Sequence, residues 1–201
     1  MEHCSNAPML QSILTSSIID DQMNHRPRVG ISRCLIGGEV RYDGTHRLDE
    51  NVVALLGPHV EWVPVCPEVE IGMGTPREPI QLVASPDGVG SAGERVRLVG
   101  VVRGEDWTER MHAWARGRAQ QLVGLDLSGF VFKARSPSCG IEDVIVHAPD
   151  RERRGRGLFA QALLEALPDL PVTDEASLND AVTRACFLDR VLRHHAGPSS
   201  R

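Results

Sequence analysis

Short apolar runs alternate along the chain with longer segments in which apolar residues recur at helical spacing. Three runs rich in β-branched or aromatic residues and bounded by Gly, Pro or Ser predict buried strands over residues 29–32, 60–65 and 130–134. The helical spacing predicts helices over residues 49–56, about 106–122, 157–167 and 174–195. This alternation predicts an α/β fold, Rossmann-like, with a mostly parallel sheet flanked by helices.

Two further segments stand apart from this alternation. The runs at 80–84 and 95–102 are joined across the Gly-rich segment 85–94, and they predict a hairpin or an irregular excursion from the parallel core. Residues 1–27 are polar and show no clear period, which is typical of a flexible N-terminal extension. We therefore expect one domain over residues 28–201, including the C-terminal helices.

Composition narrows the class of protein. The 201 residues carry a formal net charge of −5, so the chain lacks the excess positive charge with which proteins bind long nucleic acid. We therefore expect a small-molecule substrate. No segment approaches the roughly 18 apolar residues of a membrane span, and the N-terminal segment lacks the basic region of a signal peptide. Five cysteines, an odd number, argue against a disulfide framework. We expect a cytoplasmic protein, and the sequence leaves its oligomeric state open.

Three cysteines, Cys34, Cys66 and Cys139, each follow one of the predicted strands. If the strands are parallel, all three thiols lie at the carboxyl edge of the sheet, where open α/β folds bind ligands. Their long separations exclude a local zinc ribbon or ferredoxin motif. Three thiolates without a fourth ligand describe a metal site with an open position, as catalysis needs. The alternative is that they are small buried hydrophobic residues.

The other two cysteines are poor ligand candidates. Cys4 lies in the polar N-terminal segment, and Cys186 lies on the apolar face of a predicted helix. Lys133 is the only lysine of the chain. Either its position needs a compact ammonium group that arginine cannot replace, or its position is due to chance. Arg77, in a Gly-rich loop, is a candidate for an anionic group, with pairing to Glu78 as the alternative.

Three sequence blocks together resemble the thiouracil desulfidase family. They are SRCLIGGEVRYDGTHR around Cys34, VPVCPEVEIGMGTPREPIQLV around Cys66 and FKARSPSCG around Cys139, and the resemblance runs from about Val29 to near Val172. It implies a 4Fe-4S cluster with these three cysteine ligands and one open iron. It also implies that this iron binds the sulfur of a thiolated uracil or its nucleotide, and that hydrolysis gives the oxo base and sulfide without net redox change.

The same resemblance marks Glu68 and Ser136 as catalytic. A carboxylate near a partly buried cluster suits a general acid or base, and a hydroxyl can orient water or donate to the departing sulfur. Glu68 has an alternative role as a helix N-terminal acid or a salt-bridge partner, and Ser136 as the start of a Ser-Pro turn. Ser138 is the competing hydroxyl, and Lys133 is a candidate for neutralising cluster or substrate charge.

Other functions remain open at this stage. A zinc-dependent hydrolase could use the same thiolates, although the motifs of zinc deaminases are absent from the sequence. A non-catalytic iron–sulfur or metal sensor would need neither Glu68 nor Ser136. A thiol oxidoreductase is disfavoured because no cysteine has a local resolving partner.

Overall fold

A computed structural model describes residues 26–85 and 95–197. The predicted N-terminal extension up to residue 25, Cys4 and the Gly-rich connection over residues 86–94 lie outside the described residues. Within the described ranges the chain forms eight strands: β1 (Arg28–Ser32), β2 (Glu61–Val65), β3 (Ile80–Ser85), β4 (Arg95–Gly100), β5 (Leu127–Phe132), β6 (Val144–His147), β7 (Glu152–Gly155) and β8 (Val172–Asp174). The α-helices of these ranges are α1 (Glu50–Leu56), α2 (Pro67–Glu70), α3 (Thr108–Val123), α4 (Leu158–Ala166) and α5 (Ala181–His195).

The first sheet is parallel throughout, in the order β2-β1-β5-β8. It confirms the predicted α/β fold with a parallel sheet flanked by helices. Close packing of β1 against β5 depends on Gly30, because a Cβ there would lie 2.1 Å from Cδ2 of the buried Phe130 ring. The predicted strand over 130–134 is shifted, since β5 begins at Leu127 and ends at Phe132.

The second sheet has the order β4-β3-β6-β7. The antiparallel pair of β3 and β4, with Leu82 opposite Leu98, confirms the hairpin alternative. The strands β6 and β7 add a second antiparallel pair, and β6 runs parallel to β3. Sequence analysis missed both, because they are four residues long and β7, with the sequence ERRG, has no apolar alternation.

Three clusters of buried residues hold these layers together. One lies between the first sheet and the helices α3 and α4, around Phe130, Phe132 and Phe159. Another lies on the opposite face of that sheet, beneath α1 and α5, around Ile31 and Phe187. A third joins the second sheet to the same α3 and α4. The two central helices therefore pack between the sheets, and the carboxyl edge of the first sheet is fixed from both faces.

Helix ends follow local capping chemistry. The Asp49 side chain accepts a hydrogen bond from the Val52 amide at 3.0 Å and begins α1 where the sequence predicts it. The prediction that the last helix starts at 174 is wrong, because the chain first forms β8 and a short 3-10 turn, Ser177–Asn179. The Asp180 carboxylate then caps α5 by accepting the Thr183 amide at 2.7 Å. None of the described helices has the length and apolar content that a membrane span requires.

Candidate active site

A cavity of about 640 Å³ opens where β1, β2 and β5 end. Its lining includes all three predicted ligand cysteines. Cys34 lies in the 3-10 turn Arg33–Ile36 directly after β1, and Cys66 directly follows β2 as the residue before α2. Cys139 lies in the loop after β5, farther from its strand than the other two. The topology thus brings together three thiols that are distant in sequence.

The environment keeps these thiols protonated when no metal is bound. Burial, followed by the nearby Glu68 carboxylate, raises the pKa of Cys34 to about 11 and that of Cys66 to about 12. The same two causes raise the pKa of Cys139 well above its ordinary value, and there the other two cysteines contribute too. The three thiols are therefore close enough to interact electrostatically, and a metal centre that binds them must displace their protons.

The donor set fits an iron–sulfur cluster. Thiolates are soft ligands that suit iron–sulfur chemistry, and the three cysteines that line the cavity could each contribute one. Among the described residues, no three His, Cys, Asp or Glu side chains form a ready-made site for one metal ion.

Glu68 lies in the first turn of α2 and lines the cavity beside the thiols. Its Oε2 is 3.5 Å from the Cys66 sulfur, which donates to it. The structural tasks of this helix belong instead to Glu70, whose Oε1 accepts the Cys66 amide at 3.0 Å and whose Oε2 pairs with Arg118 at 3.3 Å. Glu70 thus makes the ion pair and the backbone hydrogen bond at this helix start, whereas the Glu68 carboxylate, in the same first turn, faces the Cys66 thiol.

Ser136 and Ser138 occupy different surroundings. Ser136 lines the cavity, and its Oγ accepts hydrogen bonds from the amides of Ser138 at 3.2 Å and Cys139 at 3.1 Å. Ser138 is fully buried and is not part of the lining, and its Oγ has no hydrogen-bond partner among the described residues. Of the two hydroxyls, Ser136 is the one placed to meet a ligand in the cavity.

Lys133 also lines the cavity, together with an acidic residue that sequence analysis missed. Its ammonium group pairs with Glu175 Oε1 at 2.5 Å, and Glu175 Oε2 accepts the Ala134 amide at 2.6 Å. Glu175 directly follows β8, a strand hidden inside the predicted C-terminal helix. The β-branched residues of Val172–Asp174, followed by an acid, are the signal that could have indicated it.

Arg77 connects two loops of the cavity wall. Its Nη1 donates to the carbonyl oxygens of Val40 at 2.9 Å and Gly74 at 3.0 Å, and its amide donates to the Tyr42 carbonyl at 2.8 Å. The alternative pairing with Glu78 does not occur, because that carboxylate binds Arg103 at 2.9 Å. Arg77 therefore shapes the wall.

Cations outnumber acids around the cavity. The acidic residues of the lining are Asp49, Glu68 and Glu175, whereas its cationic residues are Arg33, Arg41, Arg47, Arg77, Lys133 and Arg135. This local excess contrasts with the net charge of −5 for the whole chain. The cavity is therefore suited to thiolates and to an anionic ligand.

The chain is similar in sequence and in fold to known proteins. A family model described as 2-thiouracil desulfurase matches residues 29–175. The chain is 35% identical over 156 residues to the uncharacterized protein YbbK of Bacillus subtilis (strain 168), which covers 75% of this chain and 97% of that protein. The solved structure of the 4Fe-4S-dependent thiouracil desulfidase TudS is similar in fold, with a TM-score of 0.59 and 24% identity over 80% of this chain and 99% of that chain.

Proposed function

Because the chain belongs to the 2-thiouracil desulfurase family, we propose that it is a desulfidase that hydrolytically removes sulfur from thiolated uracils or their nucleotides. The cofactor in this proposal is a 4Fe-4S cluster held by Cys34, Cys66 and Cys139, with one iron open. The observation that carries the proposal is that a single cavity is lined by these thiols together with Glu68 and Ser136. The structural neighbour supports it, since that protein is a 4Fe-4S-dependent thiouracil desulfidase.

The bound cluster would supply an open iron that takes the soft thiocarbonyl sulfur and polarises the carbon–sulfur bond without net redox change. The protein supplies proton transfer. Glu68, whose carboxylate lies 3.5 Å from the Cys66 sulfur, is placed to take a proton from the attacking water and to return one to a leaving group. Its charge acts on all three cysteine thiols, which supports proton transfer beside the reacting atoms.

Ser136 has a complementary role in this proposal. Its oxygen already accepts two backbone amides, so its own proton remains available to a group in the cavity. We assign it to orienting the water or donating to the departing sulfur. Lys133 adds a positive charge to the same wall, where its pairing with Glu175 holds it in place.

The arginines favour a nucleotide over the free base. Arg33, Arg47 and Arg135 line the cavity and are exposed, whereas Arg77 is engaged with backbone carbonyls. Guanidinium groups bind phosphate oxygens in a bidentate manner, and an uncharged base would use none of them. A thiolated uridine monophosphate therefore makes fuller use of this cavity than thiouracil.

The deciding experiment is sulfide release from 4-thiouracil and its nucleoside monophosphate by anaerobically reconstituted protein, with iron and labile sulfide measured on the same sample. We expect turnover that requires about four irons per chain, survives Cys186→Ser and disappears with Cys34→Ser, Cys66→Ser or Cys139→Ser. A loaded but inert cluster on every thiolated base would overturn the desulfidase assignment and favour a sensor. Stable binding of one zinc ion with hydrolytic activity would favour the zinc hydrolase.

A further inference from the structure

Glu175 joins two parallel strands at the edge of the cavity. It follows β8, whose last residue, Asp174, is paired with Phe132 at the end of β5. One carboxylate oxygen binds the Lys133 ammonium at 2.5 Å, and the other accepts the Ala134 amide at 2.6 Å. The side chains of Lys133 and Glu175 are only 20% and 14% exposed, so this pair is largely shielded from water.

The segment held by Glu175 is where the chain leaves β5 for the loop that carries Ser136 and Cys139. The Lys133 amide donates to Ser32 Oγ at 2.9 Å, and its ammonium also donates to the Ala134 carbonyl at 3.0 Å. The next residue, Arg135, has a φ of 59°, a left-handed conformation that non-glycine residues rarely adopt. Such a conformation persists only where the surrounding contacts impose it.

We propose that Glu175 is a positioning residue of the active site: it fixes the path of residues 133–135, and thereby Ser136 and Cys139, and it holds the Lys133 charge beside the cluster. This inference rests on the proposed function for its kinetic and redox consequences, whereas the path of residues 133–135 can be tested on metal-free protein. Lys133 and Glu175 line the same cavity as Cys34, which places both charges near a ligand cysteine.

The first test measures backbone mobility in metal-free protein. Glu175→Ala removes the acceptor of the Ala134 amide, and we expect amide hydrogen exchange in residues 133–139 to become at least about tenfold faster. Glu175→Gln keeps an oxygen acceptor and should remain within about threefold of the wild type. Glu165→Ala, on the exposed face of α4, is the matched control and should change nothing there. Unchanged exchange in Glu175→Ala would overturn the positioning role.

The second test measures charge at the cluster through its reduction potential. Glu175→Gln removes a negative charge and should raise the potential, whereas Lys133→Met removes a positive charge and should lower it. The double variant should lie between them. If the pair had only a structural role, the two substitutions would not shift the reduction potential in opposite directions. Shifts of the same sign, or no shift, would therefore show that these two charges do not act on the cluster. If Glu175→Gln does not load iron, the exchange test on metal-free protein still decides.

The third test is kinetic. Misplacement of a catalytic group by about 1 Å costs on the order of 100-fold in rate, so Glu175→Ala should lose roughly this much in kcat while KM changes less than about threefold. An unchanged kcat in loaded Glu175→Ala would overturn the inference. A wild-type protein that is inert on all thiolated uracils would instead overturn the proposed function, while the exchange and the potential would still decide the role of Glu175.

Discussion

Ser136 and Ser138 lie in one loop, but their hydroxyls have opposite hydrogen-bond environments. Ser136 Oγ accepts two amides, whereas the buried Ser138 Oγ has no partner among the described residues. Leaving a buried amide unpaired costs about 1–3 kcal/mol, so Ser136→Ala should destabilise the metal-free protein by that amount in urea unfolding. Ser138→Ala removes an unsatisfied group and should be neutral or stabilising. Equal losses in both variants would contradict the assigned hydrogen bonds.

Glu68 and Glu70 lie on one short helix and have different roles: Glu68 is the candidate catalytic acid, and Glu70 stabilises the fold. Glu68 lies against the cysteine thiols, and Glu70 binds the Cys66 amide and Arg118. General acid–base catalysis contributes about 10²–10⁴-fold, so Glu68→Gln should retain the visible cluster absorption and lose at least about 100-fold in sulfide release. Glu70→Gln should instead lower the melting temperature and leave the turnover per loaded cluster close to that of the wild type. Undiminished turnover in Glu68→Gln would refute the proton-transfer role.

Much of the candidate site could be predicted from the sequence, because its residues belong to short motifs. Cys34, Cys66 and Cys139 each come with a recognisable block, and Glu68 and Ser136 lie within three residues of a cysteine. Glu175 could not be predicted in this way. It belongs to no motif around a cysteine, and it reaches the cavity only because β8 pairs with β5. The short β-branched run before it indicates a strand, but it does not indicate that this strand pairs with β5.

At the scale of elements, the pairing of β1 with β5 depends on Gly30, which has no side chain. A Cβ at Gly30 would lie 2.1 Å from the ring of Phe130, which stacks on Phe132 with centroids 4.2 Å apart. Overpacking a core costs about 1–3 kcal/mol, so Gly30→Ala should lower the free energy of unfolding by at least that range. Gly117, exposed on α3 with nothing within 4 Å of its added Cβ, is the matched control. Gly117→Ala should stabilise by up to about 1 kcal/mol.

Asp106 connects β4 to the start of α3. It accepts hydrogen bonds from the Thr108 amide at 2.9 Å and from Arg97 Nη2 at 2.8 Å. Burial raises the pKa of this carboxyl, but the hydrogen bonds from Thr108 and Arg97 outweigh burial, and the net pKa lies below its ordinary value. The ionised carboxylate therefore stabilises the fold fully above the unfolded pKa of about 3.9, and this stabilisation is lost as the pH falls through the lowered folded value.

Asp106→Asn should consequently destabilise the protein near pH 7 and should differ less from the wild type near pH 2–3. The measurement is the difference in urea midpoint between the two proteins across this pH range. Asp43→Asn is a useful comparison, because the hydrogen bond from the Thr45 side chain and the nearby Arg41 also lower the pKa of this carboxyl, but its partners lie within one loop. A difference for Asp106→Asn that is constant from pH 7 to pH 2 would show that the carboxylate charge is unimportant.

The elements that sequence analysis recovered are those with a strong apolar signal. The strands β1 and β2 and the helices α1, α3 and α4 were predicted within a few residues of their observed ends. The prediction that the second of these strands is buried is wrong, because β2 lies at the edge of its sheet and exposes Glu61 and Pro64. The strands β6, β7 and β8 have four, four and three residues, too few for a periodicity to be recognised. Their formation depends on neighbouring strands, which only the folded chain provides.

At the scale of the whole molecule, charge is distributed unevenly. The chain carries a net charge of −5, yet six cationic side chains and three acidic ones line the cavity. A positively charged cleft in an acidic protein attracts anions toward one place and repels them elsewhere. If the substrate is a nucleotide, this field should act on its phosphate and not on the uncharged base.

Arg47 and Arg135, two exposed arginines of the lining, allow this field to be tested. Arg47→Ala together with Arg135→Ala should raise KM for a thiolated uridine monophosphate by roughly tenfold, because phosphate loses its bidentate partners. KM for 4-thiouracil should change little in the same variant. Arg116 is exposed on α3 and lies outside the lining, so Arg116→Ala should leave KM for both substrates unchanged.

Added salt provides a second measurement, since exposed charges are screened beyond about 10 Å at 0.1 M. KM for the monophosphate should rise with ionic strength in the wild type and much less in the double variant. Equal effects on base and nucleotide would show that the arginines hold the wall in place and do not bind phosphate.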